Sequence, residues 1–182
     1  MTERLKFVKK INSELTGIDF IIPNLNRGGC GVFTSELAQN LRHYGYEVSV
    51  VSLGPKSIPE LNRITADHLK STNDFTLREL HNRGLGLWHF LTKWTDESGT
   101  TWYIDSEGVH TENEMVKKWH AFVELELTVD EMTDLSNQTD GWNTMFDRQF
   151  IPKLAKKIRE KVYSAWYICR PSFADFTLAS AR

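Results

Sequence analysis

Cys30 has the strongest case for chemistry in this sequence. It lies between Gly29 and Gly31 and directly precedes an amphipathic stretch of helical period. A thiol at a helix N-terminus is close to the positive end of the helix dipole and to unpaired backbone N–H groups, and both favour the thiolate. The flanking glycines leave the approach to the sulfur free of side chains. The alternative, which the sequence leaves open, is a small buried residue packed where a loop meets a helix.

A base and an orienting group for such a thiol are found on one predicted hairpin. A nucleophilic thiol needs a base, and a histidine base usually needs a partner that orients the ring. His89 and Asp105 lie on the two arms of the hairpin. If its turn has three residues and ends with a left-handed Gly99, Asp96 pairs with Thr100. His89 and Asp105 are then diagonal neighbours on one face, roughly 7 Å apart at Cα. A turn of four residues would place them on opposite faces.

Burial supports the three-residue turn. With that register, the opposite face of the hairpin collects large apolar residues, as expected of a face that packs on the core. These residues are Trp88, Phe90, Trp94, Trp102 and Ile104.

His110 is a rival to His89 as the base, because both lie near Asp105 in sequence. Asp105, Glu107, His110 and Glu112 are also a candidate metal-binding cluster. Their spacing does not place two ligands on one helical face, so a solvated acidic loop is favoured.

The elements that position these residues follow from hydrophobic period and turn chemistry. We expect helices over 3–15, from 32 to the cap at Gly45, across 58–82 and over 150–167, and a helical turn over 112–119. Strands are expected over 18–22, 46–53, 87–94, 100–106 and 121–128. A loop is expected over 24–31, and a last element should start near Asp140. Helices and an antiparallel sheet are segregated along the chain, which favours an α+β fold. We expect a single domain over 1–182, with a helical excursion over 58–83 and a C-terminal helical extension over 140–170.

Composition excludes several classes of protein. The chain has 182 residues, with 22 Lys and Arg against 24 Asp and Glu. This balance argues against nucleic-acid binding through phosphate neutralisation. No apolar stretch approaches the ~18 residues of a membrane span, and the N-terminus lacks an apolar signal core, so a cytoplasmic location is expected. Cys169 is the second of two cysteines, which indicates neither a disulfide framework nor a cysteine-based zinc site.

The order of the three candidate residues resembles that of the papain-like thiol hydrolases in the broad sense. This superfamily includes transglutaminase-like, arylamine acetyltransferase-like and NlpC-type branches. In it the nucleophilic cysteine opens a helix, and a histidine and an aspartate or another polar residue follow on neighbouring strands of an antiparallel sheet. The matching residues here are Cys30, His89 and Asp105.

Two local strings carry the likeness further. Arg27-Gly28-Gly29-Cys30 is similar to the Arg-Gly-Gly-x-Cys run of the acetyltransferases, with one residue fewer. Cys30-Gly-Val-Phe33 is similar to the Cys-x-x-Phe start of the NlpC catalytic helix. The aromatic residue that follows the cysteine in papain is absent here, and the longer separation of cysteine and histidine in papain is not reproduced.

The resemblance implies a papain-like arrangement and a Cys30-His89-Asp105 triad that works through a thioester. It implies a hydrolase of the peptidase, amidase or isopeptidase type, acting on a peptide, a protein or a small amide or ester without a metal or organic cofactor. Papain carries an oxyanion-hole amide six residues before its cysteine, where Asn24 stands here, with Asn26 as a rival. We expect Asn24 and Gly29 to contribute to oxyanion and substrate binding. The alternatives are an acyltransferase with the same triad and a non-catalytic interaction protein that retains the fold.

Overall fold

A five-stranded antiparallel sheet carries two of the three candidate residues. The computed structural model describes residues 2–55, 58–138 and 145–169. The strands are β1 (Val48–Gly54), β2 (His89–Thr95), β3 (Thr101–Asp105), β4 (Gly108–His110) and β5 (Phe122–Leu127). Their order across the sheet is β4-β3-β2-β1-β5. The predicted α+β class is therefore confirmed.

Helices lie on both faces of this sheet. They are α1 (Glu3–Leu15), α2 (Ile18–Ile21), α3 (Cys30–His43), α4 (Pro59–Ser71), α5 (Leu77–Asn82), α6 (Glu112–Trp119), α7 (Val129–Asn137) and α8 (Ile151–Ile168). Helix α3 packs with α1 and α8 against Trp94 and Ile104 of the sheet. Met115 of α6 packs against Val51 and Leu91, whose side chains alternate with those that face α3. In the described part of the chain, no helix is both long enough and apolar enough to cross a membrane.

The hairpin has the register that the turn chemistry predicts. The amide of Asp96 donates to the carbonyl of Thr100 at 2.9 Å, and Gly99 is left-handed with φ 82°. Thr92 opposes Ile104. His89 and Asp105 therefore share a face of the sheet, as expected.

Trp88 departs from the predicted core face of the hairpin. Phe90, Trp94 and Ile104 are buried, whereas Trp88 is 58% exposed. Strand β2 begins at His89, which pairs with Leu53 of β1. Trp88 therefore lies outside the paired strands, where the helices on that face do not cover it.

The expected strand over 18–22 is wrong, because this segment is helical. Ile18 and Ile22, four residues apart, are buried, while Ile21 is 47% exposed, which is a helical pattern of burial. A five-residue apolar run is too short for its period to separate helix from strand. Gly17 separates α1 from α2 by taking a left-handed conformation with φ 83°.

Other expectations for the C-terminal half are largely confirmed. Helix α8 has its proline in the first turn, as predicted, and the helical segment over 112–119 is a capped helix, α6. Strand β4 and helix α7 were not expected. Helix α7 begins with a capping box in which Thr128 and Glu131 satisfy each other's backbone N–H groups. The element expected to start near Asp140 lies outside the described residues.

Candidate active site

Cys30 is the first residue of α3, at the exit of a kinked turn over Leu25–Gly29. Within this turn Arg27 and Gly28 leave the helical region of backbone space. Gly28 has φ 109°, a conformation that residues with a side chain rarely adopt. The kink separates α3 from the preceding chain, so the helix begins abruptly at the thiol.

The thiol of Cys30 is half-buried and hydrogen-bonded to the side chain of His89. Burial opposes ionisation of the thiol. The hydrogen bond and positive charge of His89, together with backbone hydrogen bonds from Phe90 and Gly31, outweigh that effect and hold the pKa of Cys30 below its ordinary value. Cys30 is thus in an environment that favours the thiolate.

His89 is held between Cys30 and Asp105. Its Nε2 lies 3.1 Å from Oδ2 of Asp105, which leaves Nδ1 as the nitrogen for the thiol. The ring of Trp119, the last residue of α6, stacks on the imidazole with centroids 4.0 Å apart. Burial, which leaves His89 only 4% exposed, disfavours its cation, but the hydrogen bonds and negative charges of Asp105 and Cys30 raise its pKa to about 9. The surroundings of the imidazole therefore favour its protonated form near neutral pH.

Asp105 is buried at the end of β3, where the chain turns into β4. Its Oδ1 accepts hydrogen bonds from the backbone N–H groups of Glu107 at 2.8 Å and Gly108 at 2.9 Å. Burial opposes its ionisation, but hydrogen bonds from His110 and His89 and the positive charges of His89 and Lys118 hold its pKa well below the usual range. One oxygen therefore fixes the turn while the other orients the histidine.

His110, the rival base, approaches Asp105 from the side away from His89. Its Nε2 lies 3.4 Å from Oδ1 of Asp105 and 3.4 Å from Nζ of Lys118. His89 is the histidine that contacts both Cys30 and Asp105. The structure therefore brings Cys30, His89 and Asp105 into one hydrogen-bonded chain, with His110 as a further contact of the carboxylate.

The structure places Asn24 and Gly29 beside a segment distant in sequence. Nδ2 of Asn24 donates to the carbonyl of Met145 at 2.8 Å, so one N–H of the amide is already engaged. A Cβ at Gly29 would lie 2.6 Å from the ring of Phe146. The absent side chain at Gly29 therefore admits Phe146, and the space next to this glycine is filled by the protein. The side chain of Asn26 lies outside the described residues.

The candidate metal-binding cluster is organised as a turn. Among the residues that the structure describes, no group of three or more His, Cys, Asp or Glu is arranged to hold a metal ion. Asp105 instead accepts backbone N–H groups, and Glu107 pairs with Lys118 at 2.9 Å.

Trp119 and Glu124 are the site residues that sequence reasoning missed. Trp119 covers the imidazole, and Glu124 is a buried carboxylate on β5 whose oxygens accept from the backbone just before His89. The alternating pattern of a strand indicates which face of the sheet Glu124 lies on, but it does not indicate which groups the carboxylate contacts. Its proximity to His89 depends on the pairing of β5 with β1 and of β1 with β2.

Comparison with known proteins adds no assignment. No protein-family model, curated protein or solved structure matches this chain.

Proposed function

We propose that this protein is a cysteine-dependent hydrolase of the peptidase, amidase or isopeptidase type, with a papain-like arrangement of its site. The observation that carries the proposal is the hydrogen-bonded chain from Cys30 through His89 to Asp105. In this chain the pKa of the thiol is lowered and the pKa of the imidazole is raised to about 9. Opposite shifts in neighbouring groups within a hydrogen-bonded cluster are typical of nucleophile and base.

The mechanism begins with transfer of the Cys30 proton to Nδ1 of His89. The thiolate attacks the carbonyl carbon of the substrate, and the C=O electron pair moves to oxygen. The backbone N–H of Cys30 and the second N–H of Asn24 stabilise this oxyanion. Its collapse expels the amine or alcohol, which takes the proton from His89, and leaves a thioester on Cys30.

Water completes the cycle in the second half-reaction. His89 accepts a proton from water as the hydroxyl oxygen attacks the thioester carbon, and the acid is released as the thiol is restored. Asp105 stays ionised throughout, because its pKa lies below the usual range. It therefore keeps Nε2 protonated and leaves Nδ1 free to exchange the proton.

The stack of Trp119 on His89 supports this assignment. The indole limits rotation of the imidazole and shields its hydrogen bond to Asp105 from water, which strengthens that bond. A reducing compartment such as the cytoplasm would keep Cys30 available as a thiol. An acyltransferase would share the first half-reaction and replace water by an amine.

A non-catalytic interaction protein is the second candidate, favoured by the cover over Gly29. The Phe146 ring fills the space beside Gly29, and Met145 engages Asn24. In this alternative the fold is retained for binding, and Phe146 occupies the space beside the residue that precedes Cys30.

The deciding experiment measures the rate of Cys30 alkylation by iodoacetamide against pH, read by intact mass. Wild type, Cys169→Ala and His89→Ala are compared. We expect fast reaction of Cys30 below neutral pH that Cys169→Ala retains and His89→Ala loses. Turnover of fluorogenic amides or esters should vanish in Cys30→Ala and survive in Cys169→Ala. A Cys30 that titrates near the free-thiol value of about 8.5 would refute the enzyme proposal and leave the interaction protein.

A further inference from the structure

Glu124 is a buried carboxylate bonded to the chain that leads into the candidate base. It lies on β5 and is 3% exposed. Both of its oxygens lie 2.9 Å from the amide nitrogen of Gly86, and Oε2 lies 3.0 Å from the amide nitrogen of Leu87. The mechanism proposed above does not use this carboxylate.

The backbone that Glu124 holds is in an unfavourable conformation. Leu87 has φ 44°, in the left-handed region, which a residue with a side chain adopts only at a cost in free energy. Such a conformation persists only where surrounding contacts fix it. The amide of Leu87 is bonded to Glu124, and the amide of Trp88 donates to the carbonyl of Leu53 at 2.7 Å.

The fold also makes room for this carboxylate. A Cβ at Gly54 of β1 would lie 2.1 Å from Oε2 of Glu124. A Cβ at Gly86 would lie 2.5 Å from Cδ of Pro55. The absent side chain at Gly54 therefore leaves the space that the Glu124 carboxylate fills, and the absent side chain at Gly86 lets Pro55 pack closely against the backbone that the carboxylate binds.

His89 follows Leu87 by two residues and begins the strand. Its ring must meet Asp105 at Nε2 and Cys30 at the other nitrogen, so a rotation of the preceding peptides would move it out of reach of both. Pairing with Leu53 holds His89 from one side of the strand entrance, and the carboxylate holds the two residues before it.

We propose that Glu124 is a positioning residue for His89. Its carboxylate locks the backbone of Gly86 and Leu87 and thereby fixes the imidazole between Cys30 and Asp105. This inference deepens the proposed function and rests on it for its effect on catalysis, whereas the effect on the His89 ring does not depend on activity.

The test compares Glu124→Gln with Glu126→Gln. Glu126 lies on the same strand but is exposed and pairs with Lys93, so the same chemical change leaves the loop before His89 intact. In Glu124→Gln the uncharged amide weakens the hydrogen bonds, and its NH2 group opposes one of the backbone N–H groups. Gly54→Ala is the second variant, because its methyl group displaces the carboxylate while Glu124 is kept.

The first measurement is the pH profile of Cys30 alkylation. We expect Glu124→Gln and Gly54→Ala to raise the pKa of the Cys30 thiol by about one unit, so that about tenfold less thiolate is present at low pH. Both variants should lower kcat more than they change KM. Glu126→Gln should match wild type. If wild type shows the low-pH reactivity and Glu124→Gln retains it, the positioning role is wrong and the proposed function stands.

The second measurement separates the two proposals. The ¹⁵N resonances of the His89 ring report its hydrogen bond to Asp105 whether or not Cys30 is reactive. We expect both variants to move them toward those of a free imidazole. If they stay at the wild-type positions in a folded Glu124→Gln, the positioning inference is refuted even where wild-type Cys30 titrates as an ordinary thiol. That ordinary titration would by itself refute only the proposed hydrolase.

Discussion

Replacing Asp105 by asparagine tests the geometry of the site most sharply. Asparagine has the same shape but one acceptor oxygen and one NH2 group where the carboxylate has two oxygens. In the wild type one oxygen accepts from the backbone N–H groups of Glu107 and Gly108, and the other accepts from His89. The variant can supply an oxygen to only one of these sides.

The hydrogen bonds of the turn favour the orientation in which the single oxygen accepts from the backbone and not from His89. Turning the NH2 group toward the turn would leave the buried N–H of Gly108 and the partly buried N–H of Glu107 without their acceptor, whereas turning it toward His89 displaces one hydrogen bond. An unsatisfied buried donor costs about 1–3 kcal/mol, so the orientation in which the oxygen accepts from the turn is favoured by about that free energy. The NH2 group then faces Nε2 of His89, which must accept a hydrogen bond. The ring proton moves to Nδ1, where it blocks proton transfer from Cys30.

The free-energy difference between the two orientations of the asparagine amide determines how much activity the variant loses. A difference of about 1–3 kcal/mol lowers the population of the orientation in which the oxygen faces His89 roughly 5- to 150-fold. We expect Asp105→Asn to lower kcat by one to two orders of magnitude and to abolish the low-pH alkylation of Cys30. The free energy of unfolding should change by only about 1–2 kcal/mol, since the turn keeps its two hydrogen bonds.

The assay combines iodoacetamide alkylation with turnover of a fluorogenic ester, and Asp67→Asn is the control. Asp67 lies on α4 in exposed ion pairs with Arg63 and Lys70, so the same substitution there should leave both rates unchanged. If Asp105→Asn keeps turnover and low-pH alkylation within about threefold of wild type, the assignment of the two carboxylate oxygens is wrong.

Two further predictions concern stability. Gly29→Ala should lower the free energy of unfolding in urea by about 1–3 kcal/mol, because the new methyl group overlaps the ring of Phe146; an unchanged urea midpoint would show that this ring moves aside easily. The raised pKa of His89 should make its contribution to stability complete below the unfolded pKa of about 6.5 and lost as pH rises through about 9. Urea unfolding between pH 6 and 10 should show this loss in wild type and a shallower one in His89→Gln; equal slopes would contradict it.

The sequence predicts the hairpin well because its register is decided locally. A three-residue turn requires a left-handed residue at its end, which Gly99 provides, and this turn fixes which residues oppose each other along both strands. The side on which His89 and Asp105 lie follows directly. Helix α3 was expected from 32, after a loop over 24–31, and in the structure it begins two residues earlier, at Cys30.

Contacts between segments that are far apart in the sequence cannot be predicted from local patterns in the same way. The partners of Asn24 and Gly29 come from residues 145 and 146, more than a hundred positions along the chain, and no local pattern encodes that packing. Helix α7 is a different case. Its Thr128-x-x-Glu131 capping box lies within four consecutive residues, so the start of this helix is encoded locally.

The site is assembled from parts that differ greatly in their separation along the chain. His89 and Asp105 are 16 residues apart on one hairpin, a unit that forms in about 1–10 μs. Cys30 meets them only when α3 docks on the sheet. Before that step its sulfur lacks the imidazolium that lowers its pKa and is an ordinary thiol. The nascent chain therefore carries no activated thiol, and the lowered pKa of Cys30 is reached only when the tertiary structure is complete.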